Sequence, residues 1–109
     1  MPIKRFIKGL KDPEKRTFPR VEYPPTKRPM IKLGEYEMEI LNISVSGLSF
    51  LYDKKTPIKI GKWIDGKIIF LNGKSIDING QVAWKKGKKF GLLLSVRIAY
   101  PIVEEQMSI

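Results

Sequence analysis

Alternation of apolar and polar residues dominates the chain after residue 30 and predicts a series of short strands. Between Leu33 and Leu41, glutamates occupy every second position and apolar side chains occupy most of the others. This period of two residues is typical of a strand that buries one face. The same pattern predicts later strands, of which the fourth directs Val82 and Trp84 inward. The five predicted strands cover residues 33–41, 48–52, 63–71, 74–84 and 90–99.

Turn residues separate these predicted strands. Asn72-Gly73 is the strongest hairpin signal and predicts a two-residue type I′ turn. The lysine-rich segment Lys85–Lys89 predicts a second hairpin loop. Between the first two strands lies Asn42–Gly47, whose amide and hydroxyl groups favour a sharp turn and whose glycine allows a positive φ or a close approach. Five or more short strands predict an all-β fold, a small antiparallel β-barrel or a sandwich.

The N-terminal part of the chain lacks the alternation that predicts strands. Residues 3–11 fit a short basic amphipathic helix, with a strap on the barrel or a frayed tail as the alternatives. Lys15–Pro29 contains four prolines, which predict an extended and stiffened connector. Residues 1–28 hold nine Lys or Arg against three acids, so a basic arm precedes a body whose charge is milder. The whole chain has a net charge of +10, which attracts anions such as nucleotides, nucleic acid or acidic surfaces.

Composition excludes several classes of function. The 109 residues are enough for one domain. The chain lacks cysteine and histidine, which removes disulfides, thiolate zinc sites and the commonest general base, and we expect no enzyme, no metal site and no cofactor. No apolar run approaches the roughly 20 residues of a membrane span, and the N-terminus lacks the apolar core of a secretory signal. We therefore expect a cytoplasmic protein.

Two motifs resemble those of the PilZ domain, a bacterial receptor module for cyclic di-GMP. Arg16 and Arg20 match the family's Arg-x-x-x-Arg signature, and about 20 residues later Asn42, Ser44 and Gly47 match (Asp/Asn)-x-Ser-x-x-Gly. The flanking Phe18-Pro19 and the later Phe90-Gly91 are also similar to the family. The resemblance implies a split-barrel type of all-β fold with an extended basic N-terminal arm. It also implies a division into an arm (1–13), a PilZ-like barrel domain (14–100) and a short C-terminal tail (101–109).

The resemblance assigns ligand-binding roles that agree with the chemistry of the side chains. Arginine offers a rigid fork of donors for phosphate or for guanine N7 and O6, and it stacks on bases. The amide oxygen of Asn42 accepts hydrogen bonds from a guanine edge, Ser44 bonds a phosphate or a base, and Gly47 leaves room for the purine. Lys15 is a further candidate contact. Trp84 is predicted in the core, with a place in the ligand pocket as the alternative.

The function that the resemblance implies is a single-domain, non-enzymatic receptor. In it, cyclic di-GMP would order residues 12–24 against the barrel and switch a protein of the flagellar, exopolysaccharide or pilus machinery. A monomer and a homodimer remain open, as does the number of ligand molecules. The alternatives are a basic small barrel that binds nucleic acid, disfavoured because the strands lack a dense aromatic and basic platform, and a PilZ-like scaffold that binds only protein.

Overall fold

The computed structural model describes residues 20–52 and 58–108, and in them an antiparallel β-barrel with one short helix. The predicted helix over residues 3–11 lies outside this part of the chain, as do Lys15 and Arg16. The described elements are β1 (Val21–Glu22), a 3₁₀ turn (Pro25–Lys27), β2 (Met30–Leu33), β3 (Tyr36–Ile43), β4 (Gly47–Leu51), β5 (Trp63–Ile69), β6 (Ser75–Lys86), β7 (Lys89–Leu94) and α1 (Tyr100–Gln106).

Six of the strands close into a ring. Their order is β3-β2-β5-β6-β7-β4, and the pairing of β4 with β3 completes the circle. The short β1 pairs with the end of β3, where β2 no longer follows it. Every pairing is antiparallel. The all-β antiparallel barrel expected from the sequence is therefore confirmed.

The core fills the inside of this ring with aliphatic and aromatic side chains. In β3, Met38 and Ile40 point inward while Glu37 and Glu39 face solvent, as the alternation predicted. Phe50 and Phe90 lie on paired positions of β4 and β7, and their rings are 5.9 Å apart. Removing this apolar area from water supplies the main driving force for folding.

The first predicted strand is two strands in the structure. β2 ends at Leu33, a tight turn follows at Gly34-Glu35, and β3 begins at Tyr36. Gly34 has a φ of 64°, a conformation that glycine adopts at little cost. The apolar residues change phase across this turn, from odd-numbered positions before Gly34 to even-numbered positions after it. The pattern, interpreted as one strand that begins at Leu33, missed this change.

Both predicted hairpins are present, and both loops differ in length from the prediction. β5 and β6 are joined by a three-residue loop, because Phe70 and Lys74 form the closing backbone hydrogen bond and Gly73 has a φ of 90°. Asn72 accepts a hydrogen bond from the Lys74 amide across this loop. The prediction of a two-residue type I′ turn is thus wrong, and a three-residue loop with glycine at its positive-φ position takes its place. β6 and β7 are joined where expected, but β6 continues to Lys86 and β7 begins at Lys89. The loop is therefore the two residues Gly87 and Lys88 and not the whole of the predicted segment.

The last predicted strand is shorter than expected and a helix follows it. β7 ends at Leu94, and a bent segment leads to the two-turn helix α1, which has Pro101 in its first turn. Ile98 and Val103 bring this segment into the core. Within the described residues, no helix is long and apolar enough to cross a membrane.

Candidate ligand-binding face

Asn42 lies near the end of β3 and faces outward because of a β-bulge. Ile40 pairs with Phe50, but Asn42 pairs with Ser49, so β3 holds one extra residue at this point. With regular alternation, a buried Ile40 would place Asn42 in the core as well. The bulge reverses the phase, so that Ile43 is buried and Asn42 is directed to the outer face.

Arg20 lies beside Asn42 and connects the two halves of the predicted motif. Its Nη1 donates a hydrogen bond to Oδ1 of Asn42 over 3.2 Å. The contact follows from the pairing of β1 with β3, in which Glu22 is the partner of Asn42. The structure thus brings together one arginine and the asparagine of the motif, whereas Arg16 and Lys15 lie outside the described residues.

Ser44 occupies the turn between β3 and β4 and is almost fully buried. Its backbone N–H donates to the carbonyl oxygen of Gly47 over 2.8 Å, and its hydroxyl donates to the same oxygen over 3.3 Å. This arrangement closes the turn and satisfies the serine within the chain. In this conformation, Ser44 stabilises the turn, and its hydroxyl is engaged by the Gly47 carbonyl and is not directed at a ligand.

Gly47 is required by the packing of two strands. Its φ is not positive, and a Cβ atom at this position would lie 2.7 Å from the carbonyl oxygen of Leu92 on β7. Only a residue without a side chain allows β4 and β7 to approach this closely. The sequence predicted either a positive φ or a close approach of another group at Gly47, and the structure shows the close approach.

Trp84 lies on the outer face of β6, so the prediction that it belongs to the core is wrong. Its side chain is 42% exposed. A second β-bulge is responsible, because Val82 pairs with Leu92 while Trp84 pairs with Gly91, which leaves Ala83 as an extra residue. Sequence alternation placed Trp84 in phase with the buried Val82, and the bulge reverses that phase.

The indole of Trp84 rests against the backbone of β7 at Gly91. A Cβ atom on Gly91 would overlap the indole ring, so glycine leaves the space that the ring occupies. Leu93, two residues further along β7, is also directed outward and is 56% exposed. The Trp84 indole and the Leu93 side chain together form an apolar surface beside the motif.

Four positions on the outer side of the barrel wall form a continuous row, which we call the outer row. The two middle positions, Ser49 and Gly91, are buried, whereas the end positions, Asn42 and Trp84, are partly or largely exposed. Asn42 pairs with Ser49, Ser49 pairs with Gly91, and Gly91 pairs with Trp84. Neighbouring strands are about 4.8 Å apart, so the row is roughly 14 Å long. It joins a hydrogen-bonding group at one end to an aromatic ring at the other. The sequence alone did not identify Ser49 as part of this row, nor Gly91 as the residue that leaves space for the indole. The alternation does contain a signal for Ser49, because its neighbours Leu48 and Phe50 are the apolar positions that face the core.

A polar network elsewhere on the barrel does not reach the outer row. The Asn79 side-chain amide donates to Asp65, and the Ser95 hydroxyl donates to Oδ1 of Asn79 over 2.5 Å. Asp65 and Asn79 border a hollow of about 420 Å³ between β6 and the segment before α1. Because these side chains form hydrogen bonds with each other, we interpret the network as one that holds the segment before α1 against β6.

Comparison with known proteins identifies the chain. A family model described as the PilZ domain matches residues 14–108, nearly the whole sequence. No curated protein matches the sequence. Among solved structures, the Bacillus subtilis inhibitor of motility (MotI/DgrA) is similar, with a TM-score of 0.65 and 16% sequence identity. The match covers 87% of this chain and 51% of that chain, so this chain spans about half the length of that protein, and at this identity the likeness concerns the fold alone.

Proposed function

Because this chain belongs to the PilZ domain family, we propose that it is a non-enzymatic receptor for cyclic di-GMP that binds the ligand on the outer row. The observation that carries the proposal is the hydrogen bond between Arg20 and Asn42. It unites the two parts of the family motif, which are 22 residues apart in sequence, on one outward-facing surface.

The chemistry of this surface suits a guanine nucleotide. The Asn42 amide can accept from the N1 and N2 donors of a guanine edge, and the Arg20 guanidinium can donate to N7, O6 or a phosphate. The Trp84 indole at the other end of the row offers an aromatic face for stacking a purine. Ser49 and Gly91 between them are buried, Gly91 beneath the indole, and neither has a large side chain that would project from the wall.

The remaining motif residues divide into two groups. Ser44 and Gly47 hold the turn and the strand pairing that present Asn42, and Ser44 contributes a direct contact if its hydroxyl turns away from the Gly47 carbonyl. Arg16 and Lys15 precede Arg20 by four and five residues, and in the proposal they approach the ligand from the side opposite the barrel wall. Two arginines on one arm would clamp a base against the outer row.

The proposed switch is the capture of the arm by the ligand. Our sequence-based expectation that residues 12–24 are mobile without ligand is wrong at its C-terminal end, because Val21 and Tyr23 are buried and β1 is paired with β3. In the proposal, the change is confined to the chain before Arg20. The ordered arm would present a new surface to an effector protein of the flagellar, exopolysaccharide or pilus machinery in the cytoplasm.

Calorimetric titration of cyclic di-GMP into the wild type and into Arg16→Ala, Arg20→Ala and Ser44→Ala variants tests the proposal. We expect saturable binding in the wild type, a loss in both arginine variants and a smaller loss in Ser44→Ala. Lys67→Ala is the charge-matched control, since this half-exposed lysine lies on β5, a strand that contributes no residue to the outer row.

Two further ligands distinguish the alternatives. GTP tests whether any guanine nucleotide is sufficient. A short oligonucleotide that binds with a steep dependence on salt, in the absence of heat with cyclic di-GMP, would replace the proposal with the nucleic-acid alternative. No heat with any of the three would leave a PilZ-like scaffold that binds only protein.

A further inference from the structure

The hairpin between β6 and β7 carries four lysines and no acid. Lys85, Lys86, Lys88 and Lys89 surround Gly87 at its tip. Lys85 is directed toward the barrel end, where its ammonium lies 5.4 Å from the centre of the Tyr52 ring. All four lysines are exposed, and Lys86 and Lys89 form a cross-strand pair.

Lys86 and Lys89 are direct partners in the ladder and face the same side as the outer row. Lys86 follows Trp84 by two residues, and Lys89 precedes Gly91 by two residues, so alternation directs all four positions outward. Two residues along a strand span roughly 6.7 Å. A lysine side chain of four methylenes can cover that distance, so both ammonium groups can reach a ligand stacked on the Trp84 indole.

This lysine pair has no acidic partner among the described residues, 20–52 and 58–108. Like charges directly opposite each other on two strands destabilise the sheet. Elsewhere on the barrel the same situation is compensated: Lys32 and Lys67 are also cross-strand partners, but Lys67 forms an ion pair with Asp77 over 3.4 Å and Lys32 faces Glu37 on β3. The uncompensated pair creates a local positive potential that an anion would relieve.

We infer that Lys86 and Lys89, which we call the lysine edge, bind a phosphodiester group of the nucleotide that occupies the outer row. The inference rests on the proposed function and adds a phosphate contact at the end of the row that is distant from Arg20. A base on the Trp84 indole would place its attached phosphate within reach of the two ammonium groups. Lysine suits this role because its ammonium is a compact donor to phosphate.

A double variant that replaces both lysines by uncharged glutamine tests the lysine edge. The dissociation constant for cyclic di-GMP is measured in the wild type, in Lys86→Gln/Lys89→Gln and in the matched control Lys32→Gln/Lys67→Gln, each at low and high salt. We expect the first variant to bind about tenfold more weakly or worse, because it loses charge-assisted hydrogen bonds. We expect its affinity to depend less on salt than that of the wild type. The control should stay within about twofold of the wild type.

Several results would overturn the inference. If wild type binds and the lysine-edge variant stays within about twofold of it, the lysines do not touch the ligand and the proposed function stands. An equal loss in both double variants would mean a general effect of net charge. If wild type does not bind cyclic di-GMP, the proposed function itself fails and the inference fails with it. Recovery of affinity in Lys86→Arg/Lys89→Arg would support a contact that requires the charge.

Discussion

The Tyr23 hydroxyl donates a hydrogen bond to Oε1 of Gln106 over 2.6 Å, although the two residues are 83 positions apart. Both side chains are buried. Tyr23 follows Arg20 by three residues, and Gln106 is the last residue of α1. The bond therefore ties the start of the barrel domain, next to the candidate site, to the C-terminal helix.

Removing this hydroxyl should destabilise the protein. Tyr23→Phe leaves the Gln106 side chain buried without its donor, and we expect a loss of about 1–3 kcal/mol in the free energy of unfolding, measured with urea. Tyr36→Phe, a partly buried tyrosine in β3, serves as the control and should change stability little. The double variant Tyr23→Phe/Gln106→Leu should recover part of the loss, because both polar partners are then replaced by apolar groups. Equal stabilities of the two single variants would contradict this role.

Stability should fall in alkaline solution through the same residue. Burial raises the pKa of the Tyr23 phenol above its usual value, because the charged form is poorly solvated there. The unfolded chain loses this proton near pH 10 while the folded protein keeps it. The neutral phenol therefore makes its full contribution to the free energy of unfolding below about pH 10, and this contribution is lost as the pH rises beyond that value.

The difference in unfolding free energy between the wild type and Tyr23→Phe isolates this effect, because the lysines titrate in both proteins. We expect a constant difference up to about pH 9.5 and a decrease of up to about 1.4 kcal/mol per pH unit above pH 10. Parallel curves to pH 11 would show that the Tyr23 proton is not linked to folding.

Gly91 and Trp84 should behave as one unit. An alanine Cβ at position 91 would overlap the indole, so Gly91→Ala must displace the ring or the strand, at a cost of about 1–3 kcal/mol. In a Trp84→Ala background the same substitution should cost much less, because the overlapping atoms are gone. A double-mutant cycle from urea denaturation measures the difference. Additive costs would mean that the backbone, and not the indole, requires glycine at this position.

Asn42→Asp should retain or improve the binding of cyclic di-GMP. A carboxylate accepts stronger hydrogen bonds than an amide, both from a guanine edge and from Arg20. Asn72→Asp makes the same change of charge in the loop between β5 and β6 and should leave the affinity unchanged. Titration calorimetry on both variants provides the comparison, and a large loss in Asn42→Asp alone would contradict the role of Asn42 as an acceptor.

Much of the fold follows from local patterns that are written in the sequence. Alternation located the strands that contain Met38, Phe50 and Ile68, and glycine located both hairpin loops, because strand faces and turn conformations depend on residues close in sequence. The motif residues also named the family, which the family model confirms for residues 14–108. These are short-range signals, and no knowledge of the packing was needed to read them.

The direction of the site was decided by tertiary structure alone. Asn42 and Trp84 both face outward because a single extra residue, Leu41 or Ala83, reverses the phase of its strand. A bulge arises from the register between two strands that are remote in sequence, so alternation within one strand predicts the opposite direction. The sequence by itself determined an all-β barrel with a PilZ motif. Only the closed sheet placed Arg20, Asn42 and Trp84 on one surface, because that surface is built from pairings between distant strands.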